Sequence, residues 1–60
     1  MICLGMGDRH PAVAVVKKRL GVWPIDDTFT PELAARVRGV QRMWKVEVTG
    51  LIEDDFLKRI

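Results

Sequence analysis

A chain of 60 residues, 48% hydrophobic and 30% charged with both signs interspersed, is one small folded unit, too short for a two-lobed enzyme or a nucleotide-binding sheet. A single Cys forms no internal disulfide and a single His no multi-His centre, so no metal site and no cofactor is expected. A net charge of +2 is too close to balance to mark a nucleic-acid-binding protein, and the longest apolar run, Ala12 to Val16, falls far short of the ~20 residues that span a bilayer.

Residues 1–7 are apolar and interrupted by glycine, which predicts an extended leading segment. Met1-Ile2-Cys3-Leu4 lacks a basic start, and Gly5 to Pro11 breaks any apolar stretch, so the sequence predicts no secretory signal and synthesis in a reducing cytoplasm. Asp8-Arg9-His10-Pro11 opens a helix: Asp8 or His10 lies near the cap, and Pro11 fits the first turn, where its missing N–H costs nothing. Val13, Val16 and Leu20 recur on one face, Lys17, Lys18 and Arg19 suit the C-terminal end of the dipole, and Gly21 stops the helix. The first helix is expected over Pro11 to Leu20.

Gly21 to Phe29, with Trp23-Pro24 and Asp26-Asp27, reads as a turn-rich loop. Thr30-Pro31-Glu32 is a second helix start, and Leu33, Val37, Val40 and Trp44 mark a buried stripe over Pro31 to Lys45. Val46-Glu47-Val48 alternates as a short extended piece, and Thr49-Gly50 is a turn. Glu53-Asp54-Asp55 then places acids at the start of a final short helix with Phe56, Leu57 and Ile60 on its apolar face. Residues 51–56 repeat the pattern of residues 28–33 at a spacing of about 23: an apolar residue anchors a loop just before a capped helix. The expectation is an all-α, compact three-helix bundle. One domain spans residues 1–60, closed over Val13, Leu20, Phe29, Val37, Ile52 and Ile60.

The chain offers little for catalysis. It contains no Ser, and His10 precedes a helix with no nucleophile at a useful spacing, so His10 reads as a cap or surface residue. Asp26-Asp27 and Glu53-Asp54-Asp55 adjoin helix starts, where carboxylates are favoured in any case, and neither follows the alternating ligand pattern of a calcium loop. Cys3 reads as a bystander thiol. Arg38, Arg42 and Lys45 share a helical stripe with Arg36 beside it, but no short helix–turn–helix connection and no Tyr accompany them, so the stripe reads as a solvated face and no nucleic-acid partner is expected. Trp23 and Trp44 either close the small core or stand as partly exposed aromatic platforms for sugars or proteins. Val15 and Ala12 point away from the buried face and, with Ile2 and Leu4, form a second apolar patch suited to a protein partner.

Several of these positions, taken in order, carry a family pattern. Gly7, then Val13-x-x-Val16-Lys17-x-x-Leu20, then Asp26-Asp27-Thr28-Phe29-Thr30-Pro31-Glu32-Leu33, then Val37 and Val40-Gln41, then Thr49-Gly50-Leu51-Ile52-Glu53 and Ile60 resemble the peptidoglycan-binding-like domain, a three-helix module attached to many cell-wall hydrolases. The match runs over about residues 4–60. Two family turn glycines are Asp27 and Thr30 here, the family Thr is Leu33 in one unit and Phe56 in the other, and the family Gln of the first helix is Lys17. Asp tolerates a left-handed backbone, and the apolar face is intact, so the resemblance implies the same fold with an altered polar surface. It further implies a non-catalytic module that docks onto peptidoglycan through a shallow groove lined by Trp23, Asp27, Gln41 and Trp44. The absence of an export segment and of a hydrolase partner in these residues raises a second expectation. It is a small bacteriophage virion protein, a capsid decoration or minor structural subunit, that uses the same fold to dock through Ile2, Leu4 and Val15.

Overall fold

A computed structural model describes residues 1–60, arranged as β1 (Cys3–Leu4), α1 (Pro11–Leu20), α2 (Pro31–Trp44), β2 (Ile52–Glu53) and α3 (Asp54–Arg59). β1 and β2 form a two-stranded antiparallel sheet, with Cys3 opposite Glu53 and Leu4 opposite Ile52. The fold is therefore α+β, and the all-α expectation is corrected. The strands are two residues long, too short to leave an alternating signal in the sequence. Their cause is physical: Ile52 is fully buried, and the backbone groups beside a buried side chain need partners. The alternating piece Val46-Glu47-Val48, expected to be extended, forms no strand.

Local chemistry sets the helix ends. His10 Nδ1 accepts from the Ala12 N–H at 3.0 Å, and Thr30 Oγ1 accepts from the Leu33 N–H at 3.3 Å, each satisfying an otherwise orphaned donor with Pro in the first turn. Gly21 ends α1 at φ 70°, a left-handed position that costs glycine nothing. Lys45 ends α2 at φ 60°, so the second helix stops one residue before its expected limit. Arg36 Nη2 donates to the Leu20 carbonyl at 2.7 Å, closing one of the free C-terminal carbonyls of α1 from the neighbouring helix.

The core is Val13, Val16, Val22, Phe29, Leu33, Ala34, Val37, Ile52 and Phe56, all buried, with Leu4, Leu20, Val40, Trp44, Leu57 and Ile60 packed against it. Four of the six residues expected at the centre are fully enclosed, and Leu20 and Ile60 lie at its margin. The repeated sequence pattern is a repeated piece of structure. Phe29 precedes α2 and Ile52 precedes α3; each is a buried anchor on a short extended stretch. The leading segment serves both. Gly7 N–H donates to Phe29 O at 3.0 Å, Phe29 N–H to Asp8 O at 2.9 Å and His10 N–H to Asp27 O at 2.9 Å, while residues 3–4 pair with 52–53. One extended strip thus ties the start of α2 to the start of α3. No helix is long and apolar enough to cross a membrane.

Candidate functional site

Each of the two longer helices carries one buried polar residue that reaches into the loop following it. On α2 it is Gln41, 4% exposed. Its Oε1 accepts from the Thr49 and Gly50 N–H groups at 3.0 Å each, and its Nε2 donates to Thr49 Oγ1 at 3.1 Å and to Leu51 O at 3.5 Å. A side-chain amide has two donors and two acceptor sites, and all four are engaged. Thr49 Oγ1 also accepts from the Leu51 N–H at 3.2 Å. Gly50 turns at φ 73°, and a Cβ there would meet Arg38 Cγ at 3.3 Å, so glycine is needed for both backbone and space.

On α1 the corresponding residue is Lys17, which is 0% exposed. Its ammonium donates to Asp26 Oδ1, and the same oxygen accepts from the Thr28 N–H at 3.1 Å. The hydrogen bond from Lys17, and next that from Thr28, hold the Asp26 carboxyl below its ordinary value against a smaller opposing effect of desolvation. The sequence grouped Lys17 with Lys18 and Arg19 as cations suited to the C-terminal end of the helix dipole. The missed signal is its spacing: Lys17 lies four residues after Val13 and one after Val16, on the core-facing stripe.

The Gln41 loop forms one side of a groove of about 210 Å³ between the end of α2 and α3. Trp44, Val46 and Phe56 give it apolar walls, and Gln41, Thr49, Glu47, Glu53, Asp55 and Arg59 complete its lining. Trp44 is half-buried, with its ring centre 5.1 Å from that of Phe56 at a 53° tilt. Arg59 places its guanidinium 5.8 Å from the Trp44 ring centre, and its Nε donates to Asp55 Oδ2 at 3.0 Å. Ring, cation and carboxylate therefore form one ordered wall. Three carboxylates face one guanidinium across the lining, so the groove is acidic.

The structure brings together two of the four residues expected to line a ligand groove. Gln41 and Trp44 share it, although Gln41 is committed to the loop it holds. Trp23, 77% exposed, stands in the loop after α1, outside the groove lining. Asp27 lies beside the leading segment, with its carboxylate 3.7 Å from Arg9 Nε and its carbonyl bonded to His10. Of the residues expected on a partner surface, Leu4 packs against the core, Ile2 is half-buried and ties its N–H to Asp54 Oδ1 at 3.0 Å, and only Val15 is exposed, with 52% of its surface in solvent. Val46, Glu47, Glu53, Asp55 and Arg59 were not singled out from the sequence as groove residues, because only the fold joins the loop after α2 to α3. The chain matches no family model, no curated protein and no solved structure.

Proposed function

We propose that this chain is a non-catalytic binding module that docks onto cell-wall peptidoglycan, with the groove between α2 and α3 as its contact surface. The observation that carries the reading is the pairing of an aromatic wall, Trp44 on Phe56, with the carboxylates of Glu47, Glu53 and Asp55 in one small groove. Peptidoglycan offers matching chemistry on one polymer. Its sugars have apolar C–H faces that pack on aromatic rings, and its stem peptides carry ammonium groups that pair with carboxylates. The ordered motif running from Gly7 to Ile60 supports the same reading.

A groove of about 210 Å³ is smaller than the several hundred that enclose a drug-sized ligand, so it holds only a few groups of a repeating polymer. Single-site affinity is weak, and retention on an insoluble wall comes from the high local density of identical sites. The test is sedimentation with purified peptidoglycan. The wild-type chain is expected to pellet at moderate salt. Glu47→Lys, a change at an exposed groove residue, is expected to remain in the supernatant with an unchanged melting temperature. A wild-type chain that never pellets overturns the wall reading.

A further inference from the structure

The groove leaves one strongly charged surface unused. Ion pairs engage three of the ten basic side chains, namely Arg9, Lys17 and Arg59. Arg38, Arg42 and Lys45 are exposed and free of such pairs; the two arginines share one side of α2 and Lys45 is the left-handed cap that follows it. Arg38 and Arg42 are one helical turn, about 6 Å, apart, and Lys45 adds a third cation at the cap of the same helix. Positions three and four residues from Arg38 and Arg42 hold Ala34, Ala35, Gln41, Gly39 and Val46 besides the cations themselves, so no carboxylate within the helix quenches the row. Its N-terminal end is pinned, since the Arg38 stem lies against Gly50 in the loop that Gln41 holds. The molecule thus presents two faces of opposite sign around the end of one helix: carboxylates in the groove and cations on the outer side of α2.

We propose that the Arg38–Arg42–Lys45 row binds a phosphodiester polymer of the cell wall, a polyanion that lies along the outer side of α2 while the groove holds the peptidoglycan. This deepens the wall-binding reading and rests on it. A row of point-like and forked cations without a neighbouring exposed ring suits the closely spaced oxygens of a phosphodiester chain. Nucleic-acid single strands are held by stacking bases on aromatic rings between such cations, but Trp44 faces the groove and Trp23 stands in the loop after α1. The wall polymer, which has no bases, fits the row better.

The experiment titrates the intact chain with soluble poly(glycerol phosphate) and, in parallel, with single-stranded DNA of equal charge, over a series of salt concentrations. Three engaged cations give a log–log salt slope of about −2 for a flexible polyanion. Removing two, in Arg38→Gln/Arg42→Gln, reduces the slope to about −0.7. Arg42→Gln/Lys45→Asn should do the same without touching the residue packed on Gly50, and Asn tolerates the left-handed cap. A slope near zero, or variants that bind like the wild type, overturns the proposal. DNA bound as tightly as poly(glycerol phosphate) overturns its assignment to a wall polymer. Walls stripped of phosphodiesters separate this inference from the groove reading. Both double variants should still pellet with stripped walls, where Glu47→Lys fails. If the wild type pellets equally with stripped and intact walls at low salt, the basic row is not used and the groove reading stands.

Discussion

Lys17 and Gln41 occupy the same place in two copies of one structural unit and do the same task by different chemistry. Each is a buried polar residue, four after a core valine (Val13, Val37), that fastens the loop behind its helix. Gln41 does it neutrally, with four hydrogen bonds spread over Thr49, Gly50 and Leu51. Lys17 does it with a full charge buried at one end and a half-exposed carboxylate at the other. A neutral clamp tolerates any pH. An ionic clamp makes the first unit dependent on the ionisation of Asp26, and a buried charge is costly once its partner is lost.

The sharpest way to break the comparison is Asp26→Ala. It leaves the Lys17 ammonium buried without a counter-charge, and the chain is expected to lose its cooperative thermal transition at neutral pH, as read by circular dichroism. Next is Gln41→Leu, which strips the acceptor from the Thr49 and Gly50 N–H groups. A loss of about 2 kcal/mol is expected from chemical denaturation. Replacing the ionic clamp by an apolar side chain of similar length, Lys17→Met, is expected to fall within about 1 kcal/mol of the wild type, because the burial cost disappears with the ion pair.

The pH dependence sharpens the contrast further. The folded-state value of Asp26 lies below its ordinary 3.8, so the folded state holds the ionised form more strongly than the unfolded chain does. This contribution is complete above that ordinary value and is lost as pH falls through the lowered one. Wild-type stability is therefore expected to decline from about pH 4 downward, with a shallower decline in Lys17→Met. The smallest effect belongs to Trp23→Ala. With 77% of its surface already in water, it is expected to shift stability by less than about 0.5 kcal/mol.

Much of the fold was legible because it rests on local signals. Thr30-Pro31 and His10-Pro11 announce helix starts through caps and a ring-locked φ, and Gly21 announces a stop. The stripe from Leu33 to Val37 has the helical period. What was not legible depends on long-range closure. The Cys3–Leu4 pairing with Ile52–Glu53 joins segments about fifty residues apart through two residues each, and nothing in either stretch encodes it alone. The groove has the same origin: Glu47, Glu53 and Arg59 meet around Trp44 only once α3 packs against the end of α2. Trp44 was legible because it extends the helix stripe. Trp23, in a loop with no periodicity, gave no hint of which way it faces.

Mapping of backbone amide shifts during titration with a soluble disaccharide–peptide fragment of peptidoglycan tests the functional account most directly. The account predicts saturable shifts concentrated at Trp44, Glu47, Thr49 and Glu53, with α1 silent. Shifts that centre instead on Trp23 or Val15, or a spectrum unchanged at millimolar fragment, would contradict it.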